Sequence, residues 1–254
     1  MKKISTEFHR FITQLELYES PCSYFKDRNA SQYIFSSELY DLYPYHDYLF
    51  ASGFRRSGCY YYRSYCPECL ECLSYRIDLA KFTPDKNQIR VSRKNRGVYY
   101  HISEPDISVQ KEQMYVSYQR SRHKIHSAQY SDTQLIDVMK DQMYNNPPST
   151  FEMEFYKNDA LYGFMIVDKG VESVSAVYSV FDTNEIKNSP GKFMVLSLID
   201  WGKEERLKYL YLGYMIKGID NMSYKKNYQP GEYLVATADQ WQAVSEKHQE
   251  QTNE

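Results

Sequence analysis

The chain has 254 residues, of which 42% are hydrophobic and 25% charged, enough for one large domain or two small ones and the wrong balance for global disorder. Its 31 basic and 33 acidic residues leave a formal net charge of −2, which argues against a polyanion binder run by bulk charge and leaves a local basic patch open. No apolar run approaches the roughly 20 residues that span a bilayer, and the start, MKKISTEFHR, carries the basic residues of a signal peptide with no apolar stretch behind them, so a cytoplasmic location is expected.

In chain order, residues 12–36 hold β-prone pieces around a polar turn from Lys26 to Ser31. Tyr45 to Ser52 reads as a short helix stopped by Gly53. Cys59 to Arg63 and Leu73 to Leu79 read as strands flanking a cysteine-rich loop. Gln88 to Arg96 reads as a basic helix, followed by a strand from Val98 to Ser103. Helices are expected at Val109 to Lys124 and after Asp132, the second with a stripe of Leu135, Ile136, Met139 and Met143. Three strands follow at Thr150 to Tyr156, Leu161 to Val167 and Ser173 to Phe181, joined by the turns Lys157-Asn158-Asp159 and Lys169-Gly170. Phe193 to Arg206 reads as a helix, Tyr209 to Leu212 and Glu232 to Ala236 as strands, and the tail from Ser245 as a frayed polar end. This order predicts an α+β chain: an N-terminal cysteine-bearing region over residues 1–85, a mixed sheet with helices in N-acetyltransferase-like (GNAT) order over 86–240, and a polar tail over 241–254. Fold order alone does not give function.

Two compositional features carry chemistry. Tyr occurs 27 times; its ring and hydroxyl suit half-buried core edges and equally suit stacking on bases. The five cysteines, an odd number without an export signal, argue against a disulfide framework. Cys66, Cys69 and Cys72 are spaced by two residues, so their sulfurs can converge on a metal ion or iron–sulfur cluster, with Cys22 or Cys59 as a fourth ligand. A reduced thiol-rich loop without metal fits the same spacing.

Four segments stand out as a set: Pro21-Cys22-Ser23-Tyr24; Gly53-Phe54-Arg55-Arg56-Ser57-Gly58; Tyr118-Gln119-Arg120-Ser121-Arg122-His123; and Tyr211-Leu212-Gly213-Tyr214-Met215-Ile216, followed by Met222-Ser223-Tyr224-Lys225-Lys226-Asn227-Tyr228-Gln229-Pro230. In order and spacing these resemble the arginyl-tRNA–protein transferase family, in particular its bacterial aspartate/glutamate leucyltransferase branch, from about residue 14 to 236. The resemblance implies an enzyme that moves an amino acid from aminoacyl-tRNA to the N-terminal amine of proteins beginning with Asp or Glu, creating an N-degron for degradation. It also implies that Cys22 joins Cys66, Cys69 and Cys72 in a zinc or iron–sulfur site.

The chemistry can be set beside the residues. The aminoacyl ester is already activated, so neither ATP nor another nucleotide cofactor is required. The attacking α-amine has a pKa near 7.7–8.0; the site must orient it, accept its proton and stabilise the oxyanion. Arg55 and Arg56, between two glycines, suit the acceptor carboxylate or tRNA, or else a solvated turn. Arg90, Arg93, Lys94 and Arg96 suit tRNA phosphates or a solvated helix face. Arg122 and His123 end a helix, where cations also favour the dipole.

From the family's pattern, Tyr178 and Asp182 close the third strand of the meander, Asp182 as the expected catalytic carboxylate. The family's Asp-Pro is Asp182-Thr183 here, which leaves the loop open to a different course. Ser189 and Gly191 stand at the family's Ser-x-Gly, before a helix whose free N–H groups suit an ester or phosphate oxygen. The longer glycine-rich loop of coenzyme-A-dependent relatives is missing there, which counts against an acetyltransferase. A cleft is expected to gather Arg55, Arg56, Tyr178, Asp182, Gly213 and Tyr214, with Lys225 at its edge. Leucyl transfer is the leading reading. Arginyl transfer and a non-catalytic tRNA- or degron-binding protein are its rivals, because a Leu pocket should be apolar and an Arg pocket acidic.

Overall fold

The computed structural model describes residues 5–216, 218–235 and 240–244. In chain order it places α1 at Thr6–Thr13, β1 at Leu17–Pro21, β2 at Asn29–Ser36, α2 at His46–Ala51, β3 at Arg55–Ser57, β4 at Tyr60–Ser64, β5 at Cys72–Asp78, α3 at Lys86–Lys94, β6 at Val98–Ser103 and α4 at Val109–Arg122. There follow α5 at Asp132–Met139, β7 at Thr150–Lys157, β8 at Ala160–Lys169, β9 at Ser173–Phe181, α6 at Pro190–Glu204, β10 at Tyr209–Ile216, α7 at Asp220–Ser223, β11 at Gly231–Val235 and β12 at Gln242–Ala243. The tail from Ser245, and Ala236 at the end of the last expected strand, lie outside the described residues.

Two sheets result. The first is antiparallel in the order β1-β2-β4-β3; the second runs β12-β11-β5-β10-β9-β8-β7-β6. Within the second, only β9 and β10 pair in parallel. This is the mixed sheet with helices that the sequence predicts. The boundary expected at residue 85 does not separate the sheets, because β5 precedes it yet lies between β10 and β11. Trp241, placed in the polar tail by sequence, packs against the first region's core and donates from Nε1 to Ala51 O at 2.8 Å.

Strand alternation divides the interior. On β8, Met165 and Val167 face a core with Leu198 and Ile199 of α6, while Phe164 and Ile166 face Tyr115, Leu135 and Met139 of α4 and α5. Each such side chain contributes about 1.5–3 kcal/mol when fully buried. A third core, with Phe8, Phe35, Leu49, Phe50, Phe54 and Tyr61, includes Tyr211 of β10, so the N-terminal sheet packs onto the larger one.

Polar contacts fix that packing. Asp47, at the start of α2, accepts from Val171 N, Glu172 N and Ser173 Oγ in the β8–β9 turn. His46 has its Nδ1 2.9 Å from Lys169 O and its Nε2 2.7 Å from the Tyr61 hydroxyl. Arg56 is buried beside them; its Nε donates to Asp168 Oδ2 at 2.7 Å while Thr150 Oγ1 donates to the other oxygen at 2.6 Å. Burial pulls the Arg56 guanidinium down, and Asp168 more than offsets that, leaving it above its ordinary value. Breaking such a buried pair strands a charge away from water. Asp168→Asn should therefore cost about 3–5 kcal/mol, read as a fall in the urea midpoint.

Candidate functional site

The parallel pairing of β9 and β10 lasts three residues, Tyr209 to Tyr211 opposite Ser173 to Ser175. Beyond it the strands part. β10 bulges against β5 between Tyr211 and Gly213, and Gly213 has φ +83°, a left-handed conformation that glycine adopts without steric cost. A cavity of about 540 Å³ opens here. Ala176 and Tyr178 of β9, Leu212 of β10, Met165 of β8 and Val195 of α6 line it. Arg122 and His123 close it from the end of α4, Ser189 to Lys192 from the start of α6, and Met222, Tyr224 and Lys225 from the segment after β10.

Where the strands part, two cations bond backbone carbonyls. Arg55, 8% exposed, donates from Nη2 to Ala176 O on β9 at 3.1 Å. A Cβ on Gly213 would stand 2.8 Å from that Nη2, so the bare glycine admits the guanidinium. Lys225, 5% exposed, donates from Nζ to Tyr214 O on β10 and lies 3.8 Å from Met222 Sδ. Burial, then the neighbouring Arg55, pulls the Lys225 ammonium down to about 7. Burial likewise lowers Arg55.

Around the cavity, Gln119 Nε2 donates to the Tyr178 hydroxyl at 2.9 Å, and burial holds that phenol well above its usual range. Burial and Arg122 pull the His123 imidazole down. Ser189 is the N-cap of α6 with φ +58°, its side chain makes no capping bond, and Pro190 follows it. Ser189 O accepts from Lys192 N and Phe193 N, which leaves the Gly191 N–H as the donor at that helix start. A Cβ on Gly191 would lie 3.1 Å from the Phe181 ring, so glycine also lets the helix start approach this wall.

The structure thus brings together Arg55, Tyr178, Arg122, His123, Ser189, Gly191 and Lys225. Gly213 and Tyr214 contribute backbone; the Tyr214 hydroxyl points away and accepts from Ser64 N at 2.9 Å. Two residues expected in the cleft are elsewhere. Arg56 follows Arg55 on β3, where consecutive side chains take opposite faces, and it is held in the ion pair with Asp168. Asp182 lines a separate cavity of about 330 Å³ that shares the Phe181 wall, and its Oδ1 accepts from Asn184 N and Nδ2. Sequence reasoning missed Lys192, one position past Gly191, and Met222, although both stand in or beside motifs it quoted.

Arg90, Arg93 and Lys94 are exposed on α3, and Arg96 lies just past its cap at Asn95. Lys94 Nζ donates to Lys187 O, and Asn95 Nδ2 to Asn188 O. The basic helix therefore abuts the turn that leads into the cavity at Ser189.

At the other end of β5, Ser31 N donates to Cys66 Sγ at 3.4 Å and Arg28 Nη1 to Cys69 Sγ at 3.5 Å. Burial, then Cys66, Cys69 and Cys22, push the Cys72 thiol up to about 12. Among the described residues no three His, Cys, Asp or Glu side chains are arranged to hold a metal ion.

Family comparison agrees with this architecture. Residues 20–90 match the model of the arginine-tRNA-protein transferase N terminus, and residues 110–235 that of its C terminus. The aspartate/glutamate leucyltransferase of Leptospira interrogans is 35% identical over 232 residues, covering 90% of each chain. The chain belongs to the arginine-tRNA-protein transferase family. An aspartate/glutamate leucyltransferase of Saccharophagus degradans is 32% identical, covering 88% of this chain and 95% of that one. Among solved structures, the ribosomal-protein-S18-alanine N-acetyltransferase of Escherichia coli is similar at a TM-score of 0.28 and 14% identity, covering 42% of this chain and 61% of that one. The family is one of enzymes, and no helix of the described residues is long and apolar enough to cross a membrane.

Within this transferase, Arg55 and Arg56 should separate in stability measurements. Arg56→Met strands Asp168 and should cost about 3–5 kcal/mol. Arg55→Met removes a buried charge that has no carboxylate partner among the described residues. Its cost should stay near the 1–3 kcal/mol of one unpaired carbonyl. Urea unfolding of the two variants reads the difference.

Proposed function

We propose that this transferase moves leucine from Leu-tRNA to the N-terminal amine of proteins that begin with Asp or Glu. The observation that carries this reading is the composition of the cavity. Its walls are apolar at Met165, Val195 and Leu212, its rim is cationic at Arg122 and Lys192, and no acidic side chain among the described residues lines it. A leucyl side chain suits such walls. An arginyl side chain would bring a further cation to them without a carboxylate to meet it.

The parts of the reaction find matching groups. Arg122 and Lys192, with the charge of Arg55 behind them, suit the acceptor's side-chain carboxylate. The Gly191 N–H, at the positive end of α6, suits the oxygen of the ester carbonyl as it becomes an oxyanion. The rings of Tyr118 and Tyr224 offer a surface for the terminal adenine. Arg90, Arg93 and Lys94 on α3, with Arg96 beyond, continue the positive surface outward for tRNA phosphates. A chain that consumes charged tRNA belongs in the cytoplasm, where tRNA is charged.

Cys22, Cys66, Cys69 and Cys72 are the donor set that zinc or an iron–sulfur cluster would take. As described they do not close on one point, so no step of the transfer is routed through a metal. Elemental analysis of anaerobically purified protein reads the occupancy of that cluster.

The direct test supplies labelled Leu-tRNA, Arg-tRNA or acetyl-CoA with a peptide that begins with Glu. Leucine should be transferred, arginine at least tenfold more slowly, and acetyl not at all. Equal transfer of arginine, or transfer of neither amino acid, would overturn the reading. Replacing Arg90, Arg93 and Lys94 together by Ala should weaken tRNA binding. The log–log salt slope should also flatten, by a little under one unit for each lost phosphate contact. An unchanged slope would assign these residues to a solvated face.

A further inference from the structure

We propose that Lys225 takes the proton released by the attacking α-amine and returns it to the tRNA 3′-oxygen as the ester bond breaks. This role rests on the transfer reaction proposed above and names the group that handles its proton.

The coordination of Lys225 is that of an amine rather than an ammonium. An ammonium has three N–H groups to place, and burial without partners for them is costly. The Lys225 Nζ has one carbonyl, Tyr214 O, and a thioether, Met222 Sδ. No carboxylate among the described residues pairs with it. A neutral amine fits these partners: one N–H reaches Tyr214 O and the lone pair is left for the cavity that Lys225 lines.

The charged and titratable groups around it come from every wall. Arg55 faces it from β3, where a second positive charge so close opposes protonation. Tyr178 of β9, Arg122 and His123 of α4, and Lys192 of α6 line the same cavity. Tyr214 of β10 presents its carbonyl, and the ring of Tyr224 lies 5.9 Å from Nζ. Asp168, whose charge reaches Arg55, is already bonded by Arg56 and Thr150. Burial and Arg55 together bring Lys225 to about 7, close to an α-amine near 7.7–8.0. A proton acceptor works best when its pKa lies near the working pH.

Other groups are less suited. Asp182 lies beyond Phe181 with Asn184 on its carboxylate. His123 sits at the rim against the Tyr118 ring, with its basicity lowered. Tyr178 is held as a phenol that accepts from Gln119.

The step balances as follows. The α-ammonium first loses one proton to solvent. The neutral nitrogen then attacks the ester carbonyl carbon; a C–N bond forms, and the carbonyl electron pair moves onto oxygen near the Gly191 N–H. The nitrogen, now bearing a positive charge, passes a proton to the lone pair of Lys225. When the carbonyl reforms, the C–O3′ bond breaks with its electron pair on O3′, which takes that proton from Lys225. The lysine ends neutral, ready for a second cycle.

Two measurements test this. The first titrates wild-type protein carrying 13Cε-labelled lysine by NMR, with the Lys225 resonance assigned by its loss in Lys225→Arg. Its midpoint should fall near 7, against about 10.4 for ordinary lysines. The second compares transfer by wild type and Lys225→Arg, which keeps a positive charge but cannot give up its proton. The kcat should fall about 100-fold or more, with the Kd for Leu-tRNA and the KM for the Glu peptide within about twofold. A midpoint above about 9 would overturn the proposal, as would a variant as fast as wild type. If wild type itself moves no leucine, the functional reading falls and takes this role with it; wild-type transfer matched by the variant removes the role alone.

Discussion

The divergence of β9 from β10 is the constraint on which the rest of this molecule depends. A parallel pair that stops after three residues leaves peptide groups facing an open gap, and buried peptide groups need partners. The chain supplies them from outside the sheet. Arg55 reaches across from the smaller sheet to Ala176 O, and Lys225 folds back from the segment after β10 to Tyr214 O. Gly213, with no side chain to obstruct the guanidinium, makes both the bulge and the insertion feasible. The same event opens the cavity, with Lys225 among its lining residues and Arg55 on the backbone of Ala176.

The N-terminal region is therefore part of the site. Arg56 and Asp168 clamp β3 onto β8, and Asp47 holds the β8–β9 turn. With β3 fixed, Arg55 can only project toward the gap, because adjacent strand residues alternate in direction. One arginine pairs with Asp168 and the other bonds the backbone of β9 at Ala176. A buried ion pair of this kind is weak evidence for stability in itself and better evidence for a specified arrangement.

Much of this was legible in the sequence, and the exceptions have physical causes. Elements such as Asp132–Met139 and Ser173–Phe181 were evident because their apolar spacing matches one helix face or strand alternation. The helix at Thr6–Thr13 was missed although Phe8, Phe11, Ile12 and Leu15 recur at helical spacing and pack on the first region's core; reading the stretch from residue 12 as β-prone cut that pattern in two. Arg55 and Arg56 were read as a ligand loop because a three-residue strand has no pattern of its own. Their division of labour depends on Asp168, 112 positions away. A cleft holding Arg55, with Lys225 at its edge, was expected, but their bonds to Ala176 O and Tyr214 O were not. Asp182 was favoured by motif, and the ring of Phe181, which no spacing rule reveals, puts it in the neighbouring cavity.

The abundance of Tyr has its own consequence. Many of its hydroxyls tie distant segments inside the protein: Tyr75 to Tyr228 O, Tyr162 to Asn95, and Tyr61 to His46. Burial holds the phenols of Tyr61, Tyr75, Tyr178 and Tyr228 well above their ordinary range. In an unfolded chain each would ionise near pH 10. Up to that point these groups leave folding indifferent to pH. Beyond it the unfolded chain sheds protons that the folded chain retains, so stability falls with rising pH, more steeply for every phenol so held. The interior that secures the cavity near neutrality thus sets an alkaline limit.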